Sequence, residues 1–273
     1  MLPHTTARIP LPLIAPARLL AGTLAALNWL LAPAHAHDST AHSHPPGLHG
    51  HQGGIRTSPS AQVKAPFDIF HTRITTEGQT AVFHMAVSGK AGQLKPTPTG
   101  KLAGSTVFSY VWPTTIDPSA VGFEPKAGIL AFAVTAHPDF DDTPLFDENG
   151  DGDLGNDGHV WHAHWVVLHA DAACGPDALK VVAIPEGSKP RLPKTWPGLP
   201  ILIDSPGWSP RFKGNTVEVR VPFDDIGAVT EASFDGVTAA LRVNASVHDP
   251  LLCVVDVFKV ASGKLTLPGK VNQ

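Results

Sequence analysis

The chain has 273 residues, with 20 Lys and Arg, 24 Asp and Glu, 15 His, 27 Pro, 25 Gly and only 2 Cys, and its formal net charge is −4. Without a stripe of Lys and Arg, this balance excludes a basic nucleic-acid-binding protein. Two cysteines exclude a disulfide-dense small domain and a zinc site built from four thiolates. Hydrophobic residues make up 42% of the chain, so most of it can bury a core.

Residues 1–36 have the pattern of a secretory signal peptide. Positive residues precede an apolar run that continues without charge from residue 19 to 31, and small residues at Ala34 and Ala36 fit an A-x-A cleavage site. Cleavage after either alanine fits the pattern. The uncharged run is too short to span a bilayer comfortably. We therefore predict a periplasmic or secreted protein with no integral membrane segment after cleavage.

The two cysteines, Cys174 and Cys253, are predicted to form one disulfide, because an exported chain meets an oxidising compartment. Two separate buried thiols are the alternative. The sequence alone does not place the two Cα atoms within bridging distance of each other.

A histidine-rich segment follows the signal peptide. In residues 37–63, Gly, Pro, Ser and His are abundant and large apolar residues are rare, which predicts a disordered arm. Imidazole suits zinc, copper and nickel, so we interpret the arm as a metal-capturing segment. A solvated linker that binds metal incidentally is the alternative. Its candidate ligands are His37, His42, His44, His49 and His51.

The cleavage position affects the metal chemistry of the arm. Cleavage after Ala36 would make His37 the N-terminal residue, whose amine and imidazole resemble a histidine brace for copper. Cleavage after Ala34 would instead leave a third-position histidine, which resembles the amino-terminal Cu(II)/Ni(II) motif. Both outcomes favour copper-type ions.

Residues 64–273 are predicted to form one all-β domain, a β-sandwich of about ten strands with long loops. Short apolar runs rich in Val, Ile, Phe and Thr are separated by Gly, Pro, Asn and Asp. No long helical stripe with caps interrupts them. The predicted strands are 68–76, 80–88, 105–112, 128–136, 159–169, 179–184, 200–204, 215–222, 236–247 and 253–261.

Two resemblances accompany this prediction. The segment from Val217 to Phe223, a strand followed by a Pro-aromatic turn, and the apolar strand from Val237 to Val247 resemble sandwich domains of the carbohydrate-binding family 9 and DOMON-like group. That resemblance implies a sandwich fold. The export signal and the histidines are broadly similar to those of secreted copper-binding proteins of methane-oxidising bacteria, although no ligand can be transferred residue by residue.

An acidic loop at residues 147–158 has the spacing of a calcium-binding loop. Oxygen-bearing side chains alternate along it, and Gly152 occupies the position of the sharp turn, as in an EF-hand-type loop. Gly158 stands where the bidentate Glu is expected, and the flanks are not helical. We predict a structural calcium, with an unliganded turn as the alternative. The candidate ligands are Asp147, Asn149, Asp151, Asp153 and Asp157.

The strand after this loop carries a candidate transition-metal site. On a β-strand, residues i and i+2 face the same way, so His162 and His164 project together while Trp161 and Trp165 are expected to pack in the core. Two imidazoles can bind one copper or zinc ion with a third ligand from elsewhere. Satisfied histidines on a polar sheet face are the alternative. The candidates for the third ligand are His71, His84, His137 and His248.

The leading hypothesis is an exported protein that captures or buffers copper or zinc. A carbohydrate-binding module is the first alternative, with Trp112, Trp196 and Trp208 as stacking platforms. A metalloenzyme with a His-ligated metal is the second; the chain has neither H-E-x-x-H nor G-x-S-x-G, so no catalytic residue is assigned. Metal ions are the expected partners, and no protein partner is indicated.

Overall fold

The computed structural model describes residues 53–138, 145–244 and 251–273. The predicted signal peptide, the five arm histidines and His248 lie outside these ranges. The predicted boundary of the arm at residue 63 is too late, because Ile55 and Arg56 pair with the strand that begins at Ile69. The side chain of Ile55 also packs against the main core.

The described ranges consist mainly of β-strands, which confirms the prediction of an all-β fold. They are β1 (Ile55–Arg56), β2 (Ile69–Glu77), β3 (Thr80–Val87), β4 (Thr106–Pro113), β5 (Ile129–Ala136), β6 (His162–Ala170), β7 (Leu179–Val181), β8 (Ile203–Asp204), β9 (Arg211–Lys213), β10 (Thr216–Pro222), β11 (Ser233–Phe234), β12 (Val237–Val243), β13 (Leu252–Val260) and β14 (Gly269–Lys270).

Helical segments are short throughout these ranges. They are the α-helix α1 (Gly227–Thr230) and the 3₁₀ turns Ala65–Phe67, Pro118–Val121, Asp157–His159 and Ala172–Cys174. Within the described residues, none reaches the length and apolarity that a membrane-crossing helix requires.

The strands form two main antiparallel sheets. The first has the order β1-β2-β3-β10-β9, and the second has the order β5-β4-β12-β13-β7-β6-β8. In the second sheet β5 also pairs with β6, from Ile129 opposite Leu168 to Thr135 opposite His162. This pairing closes six of its strands into a barrel. The predicted sandwich is therefore an open sheet packed against a closed barrel rather than against a second open sheet.

Alternation along the barrel strands separates two apolar interiors. On β4, Tyr110 and Trp112 pack into the main core against the first sheet, whereas Val107 and Val111 point into the barrel. Period-2 alternation places large aromatics on one face and small aliphatic side chains on the other. Both faces of these strands are consequently buried.

Trp112 is part of the main core and is fully buried. Its Nε1 donates a hydrogen bond to the Oγ1 of Thr72 at 2.9 Å. The prediction of an exposed stacking platform at Trp112 is therefore wrong. The prediction depended on the Pro that follows Trp112, which is typical of a surface turn. In the structure Trp112 is the next-to-last residue of β4, and the first sheet covers the aromatic face of that strand.

The predicted disulfide between Cys174 and Cys253 is confirmed, with Cα atoms 5.4 Å apart. It joins the 3₁₀ turn after β6 to strand β13. The only register pair between β7 and β13 in the described structure joins Lys180 to Cys253. The covalent bond therefore lies beside the part of the barrel with the fewest pairings.

Candidate metal centre

Strand β6 places the two histidines of the H-x-H motif on one face, as predicted. Ala163 and Trp165 lie in the main core. His162 and His164 lie on the opposite face and are 0% and 2% exposed, because that face is turned towards the barrel interior rather than towards solvent. Their ring centroids are 4.9 Å apart.

The third imidazole comes from His137, directly after β5. Thr135 lies opposite His162 in the β5–β6 pairing, so the chain leaving β5 passes beside His162. The Nε2 atoms of His137 and His162 are 3.0 Å apart. Of the four candidates for a third ligand, His137 is the one that the described structure brings to the pair.

The other described candidates lie on the first sheet. His84 on β3 has its Nδ1 atom 3.7 Å from an Oε2 atom of Glu218, and its ring centroid lies 5.8 Å from that of His71 on β2. The assignment of His84 to the site is therefore not supported, because strand pairing places it in a different sheet from β6.

A carboxylate completes the cluster, and it is the residue that sequence reasoning missed. Oε2 of Glu148 lies 3.2 Å from Nε2 of both His137 and His162. One ligand atom from each of His137, Glu148, His162 and His164 lies within 4.8 Å of the others. Glu148 belongs to the acidic loop, where only the alternating positions were predicted to bind an ion. The one sequence feature that could have indicated Glu148 as a ligand is its position shortly before the H-x-H motif.

Asp157 holds Glu148 in place. Its two carboxylate oxygens accept hydrogen bonds from the backbone N–H groups of Glu148 and Asn149, each at 3.0 Å. Asp157 is almost fully buried. In the structure Asp157 supports Glu148, and calcium binding by Asp157 stays a prediction.

The other acidic and amide side chains of the loop accept hydrogen bonds from the loop's own backbone N–H groups. Asp147 accepts hydrogen bonds from the N–H groups of Gly150, Asp151 and Gly152. Gly150 and Gly152 have φ values of 74° and 90°, which glycine adopts without strain. Asn149, Asp151 and Asp153 each accept from the N–H two residues ahead. Calcium binding by these residues stays a prediction.

Ser205 orients His164. The hydroxyl Oγ of Ser205 lies 3.0 Å from His164 Nδ1, which leaves Nε2 as the ligand atom. A metal-binding histidine commonly donates its second ring N–H to such a partner, which fixes the tautomer and the ring orientation. Ser205 follows Asp204, which lies opposite Trp165 in the β6–β8 pairing.

The protonation states suit metal binding. Burial lowers the pKa of His164 to about 4 and also holds the pKa of His162 well below its usual range. Burial alone would raise the pKa of Glu148, but the charge and hydrogen bond of His137, together with the other two imidazoles, outweigh burial and lower it. Neutral imidazoles beside an ionised carboxylate are the forms that ligate a cation.

We expect the metal-free protein to lose stability as the pH falls from 6.5 to 4. The folded-state pKa of His164 is depressed below its unfolded value of 6.5, so the unfolded state binds the extra proton. The stabilisation is present above pH 6.5 and is lost progressively towards pH 4, by roughly 1.4 kcal/mol for each unit of pKa difference. The pKa of the nearby Glu148 carboxyl is also depressed in the folded state. Glu148 therefore adds to this loss of stability only when the pH falls below the ordinary glutamate pKa of 4.5.

Urea unfolding of chelator-treated protein at several pH values would measure this effect. The variant His164→Gln should show a shallower dependence, whereas His169→Gln, at an exposed position of the same strand, should behave as the wild type. Equal slopes for His164→Gln and the wild type would contradict the assignment.

The remaining tryptophans of the sugar-binding alternative are partly buried. Nε1 of Trp196 donates to the carbonyl oxygen of Leu199 at 2.8 Å, and its ring packs against the apolar cluster of the barrel. Trp208 packs against the main core, with its ring centroid 6.3 Å from that of Phe132. Neither ring stands free of the fold.

Comparison with known proteins finds no family model, no curated protein and no solved structure that matches the chain.

Proposed function

We propose that this chain is an exported metal-binding protein that holds one divalent transition ion, zinc or copper, through His137, Glu148, His162 and His164. The observation that supports the proposal is the convergence of three imidazoles and one carboxylate within 4.8 Å, on residues that are buried or half-buried. Burying four such groups together is unfavourable without a compensating charge or hydrogen bond, and a cation supplies that charge.

The spacing of the ligand atoms fits a small ion. Bonds of ~2.0–2.1 Å in a tetrahedral site imply ligand atoms about 3.3 Å apart. Three distances among His137, Glu148 and His162 are 3.0, 3.2 and 3.2 Å. Imidazole suits zinc and cupric copper, and the hard carboxylate oxygen disfavours the cuprous ion, which prefers sulfur ligands.

Four protein ligands favour holding an ion over catalysis. A catalytic zinc usually keeps one position open for water or substrate, whereas closed four-ligand sites are structural or storage sites. The arm histidines at 37–51 would capture ions outside the fold and raise their local concentration. In this reading, the barrel site is the high-affinity holder and the arm is a low-affinity collector.

Metal analysis of protein purified without a tag from the periplasm tests the proposal. We expect one zinc or copper ion per chain, retained when residues 37–51 are deleted. The double variant His162→Ala/His164→Ala should lose that ion. The matched control His159→Ala/His169→Ala removes two exposed histidines from the same segment and should retain it. Calcium measured in the same samples tests the acidic loop.

A wild-type protein without zinc or copper that takes up neither ion on titration would overturn the proposal. Loss of the ion from the arm deletion but not from His162→Ala/His164→Ala would move the site out of the barrel and overturn its assignment to these four residues.

A further inference from the structure

The barrel encloses an apolar cavity of about 480 Å³. Small barrels are normally filled by their own inward side chains. Here the small residues Ser109, Ala133 and Ala239 stand among the aliphatic side chains that face inward, while the large aromatic residues of β4 and β5 point into the main core. The space inside the barrel therefore follows from side-chain size, and its volume lies in the range of small-molecule binding sites.

The polar groups of this cavity are few. Ser109 already donates a hydrogen bond to the carbonyl oxygen of Ala239, and Asp177 is exposed. The other polar side chains of the lining are Thr135 and three members of the metal cluster, His137, Glu148 and His164. Since Thr135 lies opposite His162 in the β5–β6 pairing, this polarity is concentrated at one wall.

Thr135 is the one member of this wall that the metal site does not use. Its side-chain oxygen is buried and has no hydrogen-bond partner among the described residues. A buried hydroxyl without a hydrogen-bond partner destabilises the fold, because its lost hydration is not replaced. A ligand oxygen in the cavity would supply the missing hydrogen bond.

We propose that the barrel binds a small, mainly aliphatic molecule with one neutral oxygen end, such as a medium-chain alcohol, its oxygen hydrogen-bonded to Thr135 and its apolar body against the valine and leucine side chains of the barrel. A neutral end fits because a carboxylate would lie at the same wall as the Glu148 carboxylate. A peptide segment fits poorly, because its backbone N–H and C=O groups would find no partners along an aliphatic lining.

Three of the apolar residues that line this cavity are exposed to solvent. Among its lining residues, Leu145, Val257 and Leu265 are large hydrophobic side chains exposed to solvent by 49%, 54% and 38%. Exposed apolar surface is found at ligand-binding grooves, so these three residues mark the candidate entry to the cavity. The proposal does not require a bound metal, so both the metal-free and the metal-loaded protein should bind the ligand.

Displacement of the fluorescent probe N-phenyl-1-naphthylamine by 1-octanol, with octanoate as the charged comparison, tests the inference. In metal-free wild-type protein we expect octanol to displace the probe at a concentration at least tenfold lower than octanoate. Thr135→Val should weaken octanol about two- to tenfold, the worth of one hydrogen bond of 0.5–1.5 kcal/mol. The control Thr75→Val, on the first sheet, should leave octanol binding unchanged.

A second variant tests the cavity itself. Val107→Phe fills space on β4 and should weaken both the probe and octanol at least tenfold while retaining the metal content and the near-ultraviolet circular dichroism of the wild type. Undiminished binding by Val107→Phe, or no probe or octanol binding by wild-type protein with normal circular dichroism, would overturn the inference. Octanol binding by a protein that takes up no metal would support the inference while overturning the proposed function.

Discussion

Replacing Asp157 with Ala is expected to weaken metal binding about 10- to 100-fold, although Asp157 is not among the four clustered residues. Its carboxylate holds the backbone N–H groups of Glu148 and Asn149, each at 3.0 Å. Without it, Glu148 loses the support that positions its side chain between two imidazoles. We also expect the free energy of unfolding of the metal-free protein to fall by about 1–3 kcal/mol, because two partly buried N–H groups lose their partner.

Competition with a chelator would measure the affinity, and urea unfolding would measure the stability. Asp153→Ala is the matched control, since Asp153 is an exposed acid of the same loop and accepts one N–H bond, from Gly155. It should change the metal affinity by less than about twofold. An equal loss in both variants would mean that the loop's total charge, rather than the support of Glu148, determines the affinity.

Removing the disulfide is expected to lower the free energy of unfolding by about 2–5 kcal/mol. Cys174 and Cys253 are 79 residues apart, so the bond greatly restricts the unfolded chain, an effect worth about 4.5 kcal/mol in the chain-entropy description. It also lies beside the β7–β13 seam, which has a single register pair between these strands, Lys180 with Cys253.

Urea unfolding of the double variant Cys174→Ala/Cys253→Ala, compared with wild-type protein with and without reductant, would measure this loss. The metal site should persist in the folded variant, because β5 and β6 are joined independently by seven register pairs, from Ile129 to Thr135. Loss of metal binding in a variant that remains folded would show that the β7–β13 seam also shapes the site. A variant as stable as the wild type would contradict the stabilising role of the bond.

Much of the local structure could be predicted from the sequence because strand signals are local. The predicted strand 80–88 corresponds to β3, which spans Thr80–Val87, and the predicted strand 215–222 corresponds to β10, Thr216–Pro222. The alternation along β6 placed His162 and His164 together and Trp165 on the other face, because side chains on a strand repeat every two residues.

The choice of the third histidine could not be made from the sequence. His84 and His137 both lie on or beside apolar strands, and nothing local distinguishes them as partners of β6. The pairing of β5 with β6 brings His137 to the site, while β3 belongs to the other sheet. Which strands pair depends on the packing of the whole domain, so only the tertiary structure shows that His137 is the third histidine.

The positions of Glu148 and Trp112 also could not be predicted from the local sequence. The spacing of the acidic loop predicted a calcium site and gave Glu148 no role. In the structure the Glu148 carboxylate lies beside two imidazoles, and Asp157 accepts a hydrogen bond from the Glu148 backbone. Trp112 was predicted to be an exposed stacking platform, but the first sheet covers it. Burial of a strand face depends on what packs against it, which its own residues do not specify.

The sequence by itself determined the all-β class, the positions of most strands and the projection of two histidines from one face, since composition and period-2 alternation are properties of neighbouring residues. It predicted the disulfide from compartment and cysteine count, and only the structure placed the two Cα atoms 5.4 Å apart. The closure of the barrel, the burial of the histidine face, the convergence of His137 and Glu148 and the apolar cavity were decided only by the tertiary structure. Each depends on contacts between residues that are not neighbours in the chain, such as the pairing of β5 with β6 and the hydrogen bonds from Glu148 and Asn149 to Asp157.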